Sequence, residues 1–144
     1  MHRKRDSVEA SCTAQRSADR EEGCIFCVMN PDELVGENEL CYARTDHYPV
    51  TEGHTLIIPK RHVASYFDLY ETEVNAIHQL LNKVKKKIME EDSPVSGFNV
   101  GVNVGKDAGQ SIFHVHMHLI PRRKGDMENP QGGVRGVIPS KRTY

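Results

Sequence analysis

The chain has 144 residues, of which 38% are hydrophobic, and its formal net charge at pH 7 is -1. This length is typical of one domain. A near-neutral charge argues against a nucleic-acid partner, and the lack of a long apolar run argues against a membrane span. The basic N-terminus has no apolar segment behind it, so no signal peptide is predicted. We therefore expect a cytoplasmic protein with neither a nucleic-acid nor a membrane partner.

Residues 1–23 are rich in charged and small polar side chains and contain almost no large apolar ones. Such a segment cannot bury enough surface to offset the entropy lost on ordering. We predict a flexible N-terminal extension over 1–23, which includes Cys12, and a single domain with a C-terminal tail over 24–144.

The predicted domain begins at Cys24-Ile25-Phe26-Cys27. Its two apolar residues can anchor the segment, and the two-residue spacing lets both thiolates reach one zinc ion. A structural zinc site needs four ligands, and the distant candidates are histidines. A redox pair and two merely buried cysteines are the alternatives. Without a secretory context, disulfides are not expected.

Two apolar segments, residues 37–43 and 55–58, predict antiparallel strands joined by a long loop. Within that loop Asp46 suits a turn-forming residue. His54 suits a half-buried strand residue, and Gly53 allows the backbone to approach a neighbour closely. The loop is therefore either an ordinary connection or part of a site.

The clearest helix is predicted over residues 71–91, where apolar residues recur at helical spacing. These residues are Val74, Ile77, Leu80, Leu81, Val84 and Ile88. The lysines on the other side are offset by glutamates, which indicates a solvated face. Asp92-Ser93-Pro94 is predicted to end the helix.

Alternating residues predict a further strand over 98–105, with Asn99, Gly101, Asn103 and Gly105 on one face and apolar residues on the other. Glycines on that face leave room for a ligand. The loop over 106–111 follows, and its turn residues could present backbone N–H groups to a phosphate. A plain hairpin turn is the alternative.

Three histidines then alternate with apolar residues in a strand predicted over 110–120. His114, His116 and His118 would share one face, because successive side chains of a strand point to opposite faces. Imidazole can act near neutral pH as a nucleophile, a proton carrier or a metal ligand. A surface strand with solvated histidines is the alternative. Clustered titratable groups favour a functional site.

The C-terminal segment over 129–139 is rich in glycine and contains Arg135. It fits either an ordered coil docked on a neighbouring element or a phosphate contact by that arginine. The predicted elements together indicate an α+β fold, in which an antiparallel sheet of about five strands carries one long helix on one face.

The sequence from His114 to Ile120 resembles the histidine triad (HIT) family pattern of three histidines separated by single apolar residues. The resemblance extends from about Cys24 to about Asp126. Further matching positions are Asp46, Pro49, Gly53-His54, Ile58-Pro59-Lys60, His62, Asn103, Gly105 and Gly109-Gln110-Ser111.

The resemblance implies a HIT-like fold, a homodimer whose sheets join, and a purine nucleotide substrate. The implied activity is hydrolysis at the α-phosphate of adenylated substrates, such as dinucleoside polyphosphates or nucleoside phosphoramidates, through a nucleotidyl-histidine intermediate. A nucleotidyl transferase or phosphorylase, and a non-catalytic nucleotide-binding scaffold, are the alternatives.

The resemblance also implies a role for each matching residue. His116 would be the nucleophile, assisted by His54 and by His118, which if protonated would stabilise phosphate charge. Asp46 would bind the ribose, and Asn103, Gln110, Ser111 and His118 would complete the nucleotide site. In a zinc-binding branch of the family, the positions equivalent to Cys24, Cys27, His62 and His114 hold a structural zinc ion. No organic cofactor is expected.

Overall fold

The computed structural model describes residues 20–144, so most of the predicted N-terminal extension, including Cys12, lies outside the described residues. The regular elements are β1 (Leu34–Glu37), β2 (Cys41–Thr45), β3 (Thr55–Pro59), α1 (Glu71–Glu91), β4 (Val95–Gly101) and β5 (Met117–Arg123). Short 3₁₀ helices occur in the connections and in the C-terminal tail.

The five strands form one antiparallel sheet in the order β1-β2-β3-β5-β4. Helix α1 packs on one face of this sheet and has the predicted bounds. The predicted α+β fold, with about five antiparallel strands and one long helix, is confirmed. Within residues 20–144, no helix is long and apolar enough to cross a bilayer.

The main core lies between α1 and the sheet. The helix contributes Ala76, Ile77, Leu80 and Val84, and the strands contribute Cys41, Ala43, Ile57 and Leu119. Each of these side chains is at most 9% exposed. The core therefore uses the predicted apolar stripe of the helix, because residues three and four positions apart lie on one helical face.

A second apolar cluster lies on the opposite face of the sheet. Phe26, Tyr42, Leu56 and Ile58 form it, and the Tyr42 hydroxyl donates a hydrogen bond to the Phe26 carbonyl oxygen at 2.6 Å. This bond ties the N-terminal segment to the sheet. In the strand register, Leu56 lies opposite His118, so this same face carries the third histidine of the triad.

Two predicted strands differ from the observed ones at their ends. The strand predicted over 37–43 is interrupted by a turn, in which the Asn38 side-chain oxygen accepts from the N–H groups of Leu40 and Cys41. The strand predicted over 98–105 is observed as β4 from Val95 to Gly101. It ends where strand β5 begins, since Gly101 lies opposite His118, one residue after the start of β5 at Met117.

The strand predicted over 110–120 begins only at Met117, so His114 and His116 precede it. Their segment is held by other contacts: the Val115 N–H donates to the Val63 carbonyl at 2.8 Å, and His114 bonds the Pro59 carbonyl. The predicted strand bounds are therefore wrong for the first two histidines, because connecting loops rather than a neighbouring strand satisfy this backbone.

A buried carboxylate fixes the start of α1. Glu73 is 3% exposed, accepts two bonds from the Arg61 guanidinium and accepts the Tyr70 N–H at 2.8 Å. We expect Glu73→Gln to lower the free energy of unfolding by about 1–2 kcal/mol, because the charged hydrogen bonds are lost. Denaturant unfolding measures this. Glu90→Gln, on the exposed last turns of the same helix, is the control, and equal effects would contradict the assignment.

Candidate active site

The triad histidines form a row of rings on the face opposite α1. The His116 and His118 ring centroids are 5.3 Å apart, and His118 lies 5.1 Å from His54. Phe26 packs against His116, with ring centroids 4.9 Å apart. The fold thus brings together the three residues predicted to be catalytic: His54, His116 and His118.

Hydrogen bonding determines which nitrogen of His116 is available. The His116 Nδ1 lies 2.8 Å from the His114 carbonyl oxygen, which can only accept, so Nδ1 carries a hydrogen. In a neutral imidazole the other nitrogen, Nε2, then keeps its lone pair. His116 is 9% exposed, which restricts its rotation. The nucleophilic atom of this residue is therefore Nε2.

A chain of bonds also sets the tautomers of His54 and His118. The Val50 N–H donates to His54 Nδ1 at 3.1 Å, so the hydrogen of neutral His54 lies on Nε2. That Nε2 lies 2.9 Å from His118 Nδ1 and donates to it. His118 then carries its own hydrogen on Nε2, the atom left to donate to a ligand.

The surroundings of His118 determine its charge in this structure. Burial, together with the neighbouring imidazoles of His116 and His54, lowers the pKa of His118 to about 4. Burial also lowers the pKa of His54, although the Asp46 carboxylate opposes this. In the ligand-free site His118 is therefore neutral at pH 7, and it offers a hydrogen-bond donor rather than a positive charge.

Asp46 serves both a turn and the histidine cluster. Its Oδ1 accepts the Tyr48 N–H at 2.9 Å, which is the turn-forming role, and its Oδ2 lies 3.4 Å from His54 Nε2. Asp46, His54 and His118 are close enough to hold a cation. A metal bound to His54 Nε2 would require the imidazole hydrogen to lie on Nδ1. Because the Val50 N–H donates to Nδ1, that hydrogen cannot lie there. This arrangement disfavours a metal there.

A separate cluster of two cysteines and two histidines lies at the other end of the row. Cys24, Cys27, His62 and His114 place their donor atoms within 4.8 Å of one another. The His114 Nδ1 is 3.5 Å from each sulfur, and the His62 Nδ1 is 3.3 Å from the Cys27 sulfur. The four predicted metal ligands are therefore adjacent, although they come from three separate parts of the chain.

The donor set of this cluster fits zinc. Tetrahedral bonds of about 2.3 Å to sulfur and about 2.0 Å to nitrogen imply sulfur-to-nitrogen distances of about 3.5 Å, which match those observed. The other ring nitrogens are occupied: His114 Nε2 donates to the Pro59 carbonyl at 2.7 Å, and His62 Nε2 to Glu21 at 2.6 Å. Both histidines therefore turn the Nδ1 lone pair towards the cluster.

Gln110 differs from its predicted role as a phosphate contact. Its side chain is 4% exposed, accepts the Gly105 N–H at 2.9 Å and donates to the Ala64 and Ile112 carbonyls. The N–H groups of Ala108 and Gln110 also bond within the loop. The amide of Gln110 therefore braces the loop over 106–111, and these groups are not available to a phosphate.

The remaining predicted ligand contacts are Ser111 and Asn103. Ser111 is exposed at the end of the braced loop. Asn103 lines a cavity together with His54 and His118. Gly101 also lines it, and an added Cβ at this position would meet no atom within 4 Å. The prediction that glycine leaves open space on this face is therefore correct at Gly101.

Sequence reasoning missed two contacts of the site. Phe26 was expected only to anchor its segment, yet its ring packs on His116 and lies 6.1 Å from His114. Its position between two predicted zinc ligands was a usable signal. The Val50 N–H could not have been found, because a backbone donor has no sequence pattern.

A further polar network lies in the same part of the chain as Asp46. It consists of Arg44, Glu33 and His47.

Comparison with known proteins identifies the family. The HIT domain family profile matches residues 28–125. The chain belongs to the HIT family. Two curated relatives illustrate its range: Protein hit of Bacillus subtilis is 40% identical over 110 residues, covering 73% of this chain and 75% of that protein. The bis(5'-adenosyl)-triphosphatase of Dictyostelium discoideum is 34% identical, covering 71% and 68%.

A solved HIT structure shares the fold and is described as zinc-bound. The zinc-bound histidine triad family protein of Mycobacterium smegmatis is 32% identical and superposes with a TM-score of 0.68, covering 74% of this chain and 80% of that one. Membership of the HIT family and a Cys₂His₂ cluster able to hold a metal ion are therefore both established for this chain.

Proposed function

We propose that this HIT protein is a nucleotide hydrolase that cleaves adenylated substrates at the α-phosphate through a nucleotidyl-His116 intermediate. The observation that carries the proposal is the bond from His116 Nδ1 to the His114 carbonyl, because it directs the Nε2 lone pair outwards beside His118. The name of the Dictyostelium relative supports the same chemistry. A nucleophile held in one tautomer avoids a reorganisation step before attack.

The reaction has two balanced steps. His116 Nε2 attacks the α-phosphorus, and the bond from phosphorus to the leaving group breaks with its electron pair staying on the leaving group, which takes a proton from solvent where needed. Water or hydroxide then attacks the same phosphorus, the bond to Nε2 breaks, and a nucleoside monophosphate is released. His118 donates its Nε2 hydrogen to a non-bridging oxygen, and Asn103 and Ser111 are proposed to donate further hydrogen bonds to the phosphate.

We propose that the Cys₂His₂ cluster holds a structural zinc ion. Cys24, Cys27, His62 and His114 would bind it, and it would link the N-terminal segment to the triad. The ion would supply rigidity rather than an activated water, because four protein ligands leave no open position. It would also fix the His114 carbonyl that orients His116.

A homodimer and a cytoplasmic location complete the proposal. Among the described strands, β4 is an edge strand of the sheet, and its one neighbour is β5. The other side of β4 offers backbone groups to a second copy, which is the joining of sheets that the family resemblance implies.

The direct experiment is a turnover screen. Purified protein is incubated with bis(adenosine) triphosphate and with an adenosine 5′-phosphoramidate, with and without inorganic phosphate as an alternative acceptor. Release of adenosine monophosphate supports the hydrolase. Formation of adenosine diphosphate only when phosphate is added would instead indicate a phosphorylase, and binding without turnover would indicate a scaffold.

Asp46 is proposed to accept hydrogen bonds from the ribose hydroxyls. A charged hydrogen bond contributes about 1.5–3 kcal/mol, so we expect Asp46→Ala to weaken adenosine monophosphate binding by at least about tenfold. Isothermal titration calorimetry measures this. Asp46→Asn is the matched variant, because its amide oxygen can still accept the Tyr48 N–H and preserve the turn. Equal affinity of the wild-type protein for ribo- and deoxyribonucleotides would contradict the role.

A further inference from the structure

The loop between β2 and β3 supplies the backbone donor on which the histidine tautomers depend. The Val50 N–H donates to His54 Nδ1, which places the hydrogen of His54 on Nε2 and, through the bond between the rings, that of His118 on Nε2 as well. Burial of side chains does not fix this donor, because residues 47–50 are all exposed. The position of Val50 therefore depends on polar contacts of the loop.

Arg123, at the end of β5, makes such contacts. Its Nη1 donates to the Thr51 hydroxyl oxygen and its Nη2 to the Glu52 carbonyl oxygen, both at 2.9 Å. The same Nη2 donates to the Asp92 carboxylate at 2.6 Å. Thr51 directly follows Val50 in the chain, whereas Asp92 is the C-cap of α1. One guanidinium therefore ties the loop to the end of the helix.

The same part of the loop lies directly against β5. Gly53 has a φ of 88°, and an added Cβ there would lie 3.1 Å from Pro121 Cγ. The His54 N–H donates to the Thr51 carbonyl oxygen at 3.1 Å, which closes the turn between these two residues. Thr51 is thus bonded through its hydroxyl to Arg123 and through its carbonyl to the backbone of the histidine. A displacement of Thr51 would therefore move both the donor and the acceptor of the bond that orients the His54 ring.

The C-terminal tail carries another arginine, for which the sequence left two roles open. Arg135 donates to the carbonyl oxygens of Lys141 and Arg142. The tail lies beside β4, where an added Cβ at Gly133 would lie 3.3 Å from the Asn99 side-chain nitrogen. The guanidinium of Arg135 is therefore bonded within the tail itself, whereas the arginine at the end of β5 joins separate elements.

The alternative tautomers would remove the donor that His118 offers. Without the Val50 N–H, His54 could carry its hydrogen on Nδ1, and its Nε2 would become an acceptor. To keep the bond between the two rings, His118 would then carry its hydrogen on Nδ1 and present a lone pair to the phosphate. The Asp46 carboxylate does not prevent this by itself, because its Oδ2 lies 3.4 Å from His54 Nε2, which is long for a hydrogen bond.

Building on the proposed hydrolase, we propose that Arg123 is a positioning residue for the reaction. By tying the loop to the end of α1, it keeps the Val50 N–H on His54 and thereby keeps the Nε2 hydrogen of His118 directed at the phosphate. A guanidinium suits this task, because its planar donors can bond the loop and a carboxylate at the same time. Arg123 acts through the loop rather than by contact with the substrate.

The imidazole tautomers of the full-length protein without substrate provide the first test. Long-range proton–nitrogen correlation spectra at pH 7 distinguish protonated from unprotonated ring nitrogens, and His54→Gln and His118→Gln assign the signals. We expect both histidines of the wild-type protein to carry their hydrogen on Nε2. In Arg123→Gln and in Thr51→Val, the tautomer ratio of His54 should shift by about fivefold to tenfold towards the Nδ1 form, the change that corresponds to one lost hydrogen bond.

Steady-state kinetics on the substrate that the turnover screen selects provide the second test. In both variants kcat should fall in proportion to the remaining fraction of the Nε2 form, while KM changes by less than about twofold. Asp92→Ala removes the attachment to α1 and should shift the tautomer ratio in the same direction. Thr51→Ser keeps the hydroxyl and should preserve the wild-type spectrum and kcat. Lys124→Gln, which removes an adjacent exposed charge, is the control and should change neither.

An unchanged tautomer ratio of His54 in either folded variant would overturn the proposal, even if the variant unfolded at a lower denaturant concentration, because Arg123 would then serve stability alone. A shifted ratio without the matching fall in kcat would also overturn it, as would a rise in KM at constant kcat. The failure of the underlying function is distinguishable: it would appear as a wild-type protein without turnover, whereas the spectra report the tautomers whether or not the protein is active.

Discussion

His116→Asn should abolish turnover while nucleotide binding persists. The substitution removes the group proposed to form the covalent bond, so the rate should fall by at least about a thousandfold. Asparagine retains a side-chain amide that can still donate to the His114 carbonyl, which limits disturbance of the backbone. Affinity for adenosine monophosphate should change by less than about threefold, because Asp46, Asn103 and His118 remain.

The covalent intermediate provides the measurement. Rapid acid-free quenching of the wild-type protein with substrate, followed by mass spectrometry, should reveal a mass increase of one nucleotidyl group on the peptide that contains His116. The variant should show no increase. Turnover is followed separately by monophosphate release under single-turnover conditions, so that chemistry is not masked by product dissociation.

His78→Asn is the matched control for this substitution. His78 is exposed on α1 and bonds within the helix to Asn82, so its loss should leave turnover unchanged. An adduct mapped to His118, or full activity in His116→Asn, would contradict the assignment of the nucleophile. Loss of binding together with turnover would mean that the variant has lost the site itself.

Zinc removal should produce the largest change in stability. An ion present at about a thousand times its dissociation constant contributes about 4 kcal/mol to folding. For a domain of this size, about 1 kcal/mol shifts the melting temperature by roughly 3–6 °C, so a shift of about 10 °C or more is expected. Cys27→Ser should have a similar effect, because it removes one of the four ligands.

The stabilisation by zinc should decrease as the pH falls. Metal binding requires the thiolate form, and burial raises the pKa of the Cys27 thiol, so protons compete with the metal. Burial also lowers the pKa of His114 to about 4, which leaves its nitrogen free for the metal at neutral pH. Acidification should therefore release zinc first through the thiolates.

Metal analysis of protein purified without added zinc gives the stoichiometry, and differential scanning calorimetry with and without a chelator gives the stability. Cys41→Ser is the control: Cys41 is also buried, but it bonds Asn38 and lies outside the cluster, so zinc content should be unchanged. The zinc site would be contradicted if the protein lacked stoichiometric zinc and if Cys24 and Cys27 were both freely alkylated in the native state. The two residues would then be ordinary buried cysteines.

The sequence by itself determined the fold class and the composition of the site. The apolar period over 71–91 is long and regular, so it defined α1 at both ends and identified the stripe that packs on the sheet. Two cysteines separated by two residues indicated a metal site, and three histidines separated by single residues indicated a catalytic site. Local pattern and residue chemistry suffice for these features because neither depends on distant contacts.

The tertiary structure alone decided how those side chains are used. The Gln110 side chain braces the loop over 106–111, because its partners Gly105 and Ala64 come from different parts of the chain. His118 is neutral because burial and two other imidazoles surround it. The position of the tail beside β4, which creates the cavity, depends on contacts more than thirty residues apart. Such contacts arise from packing, and no local pattern encodes them.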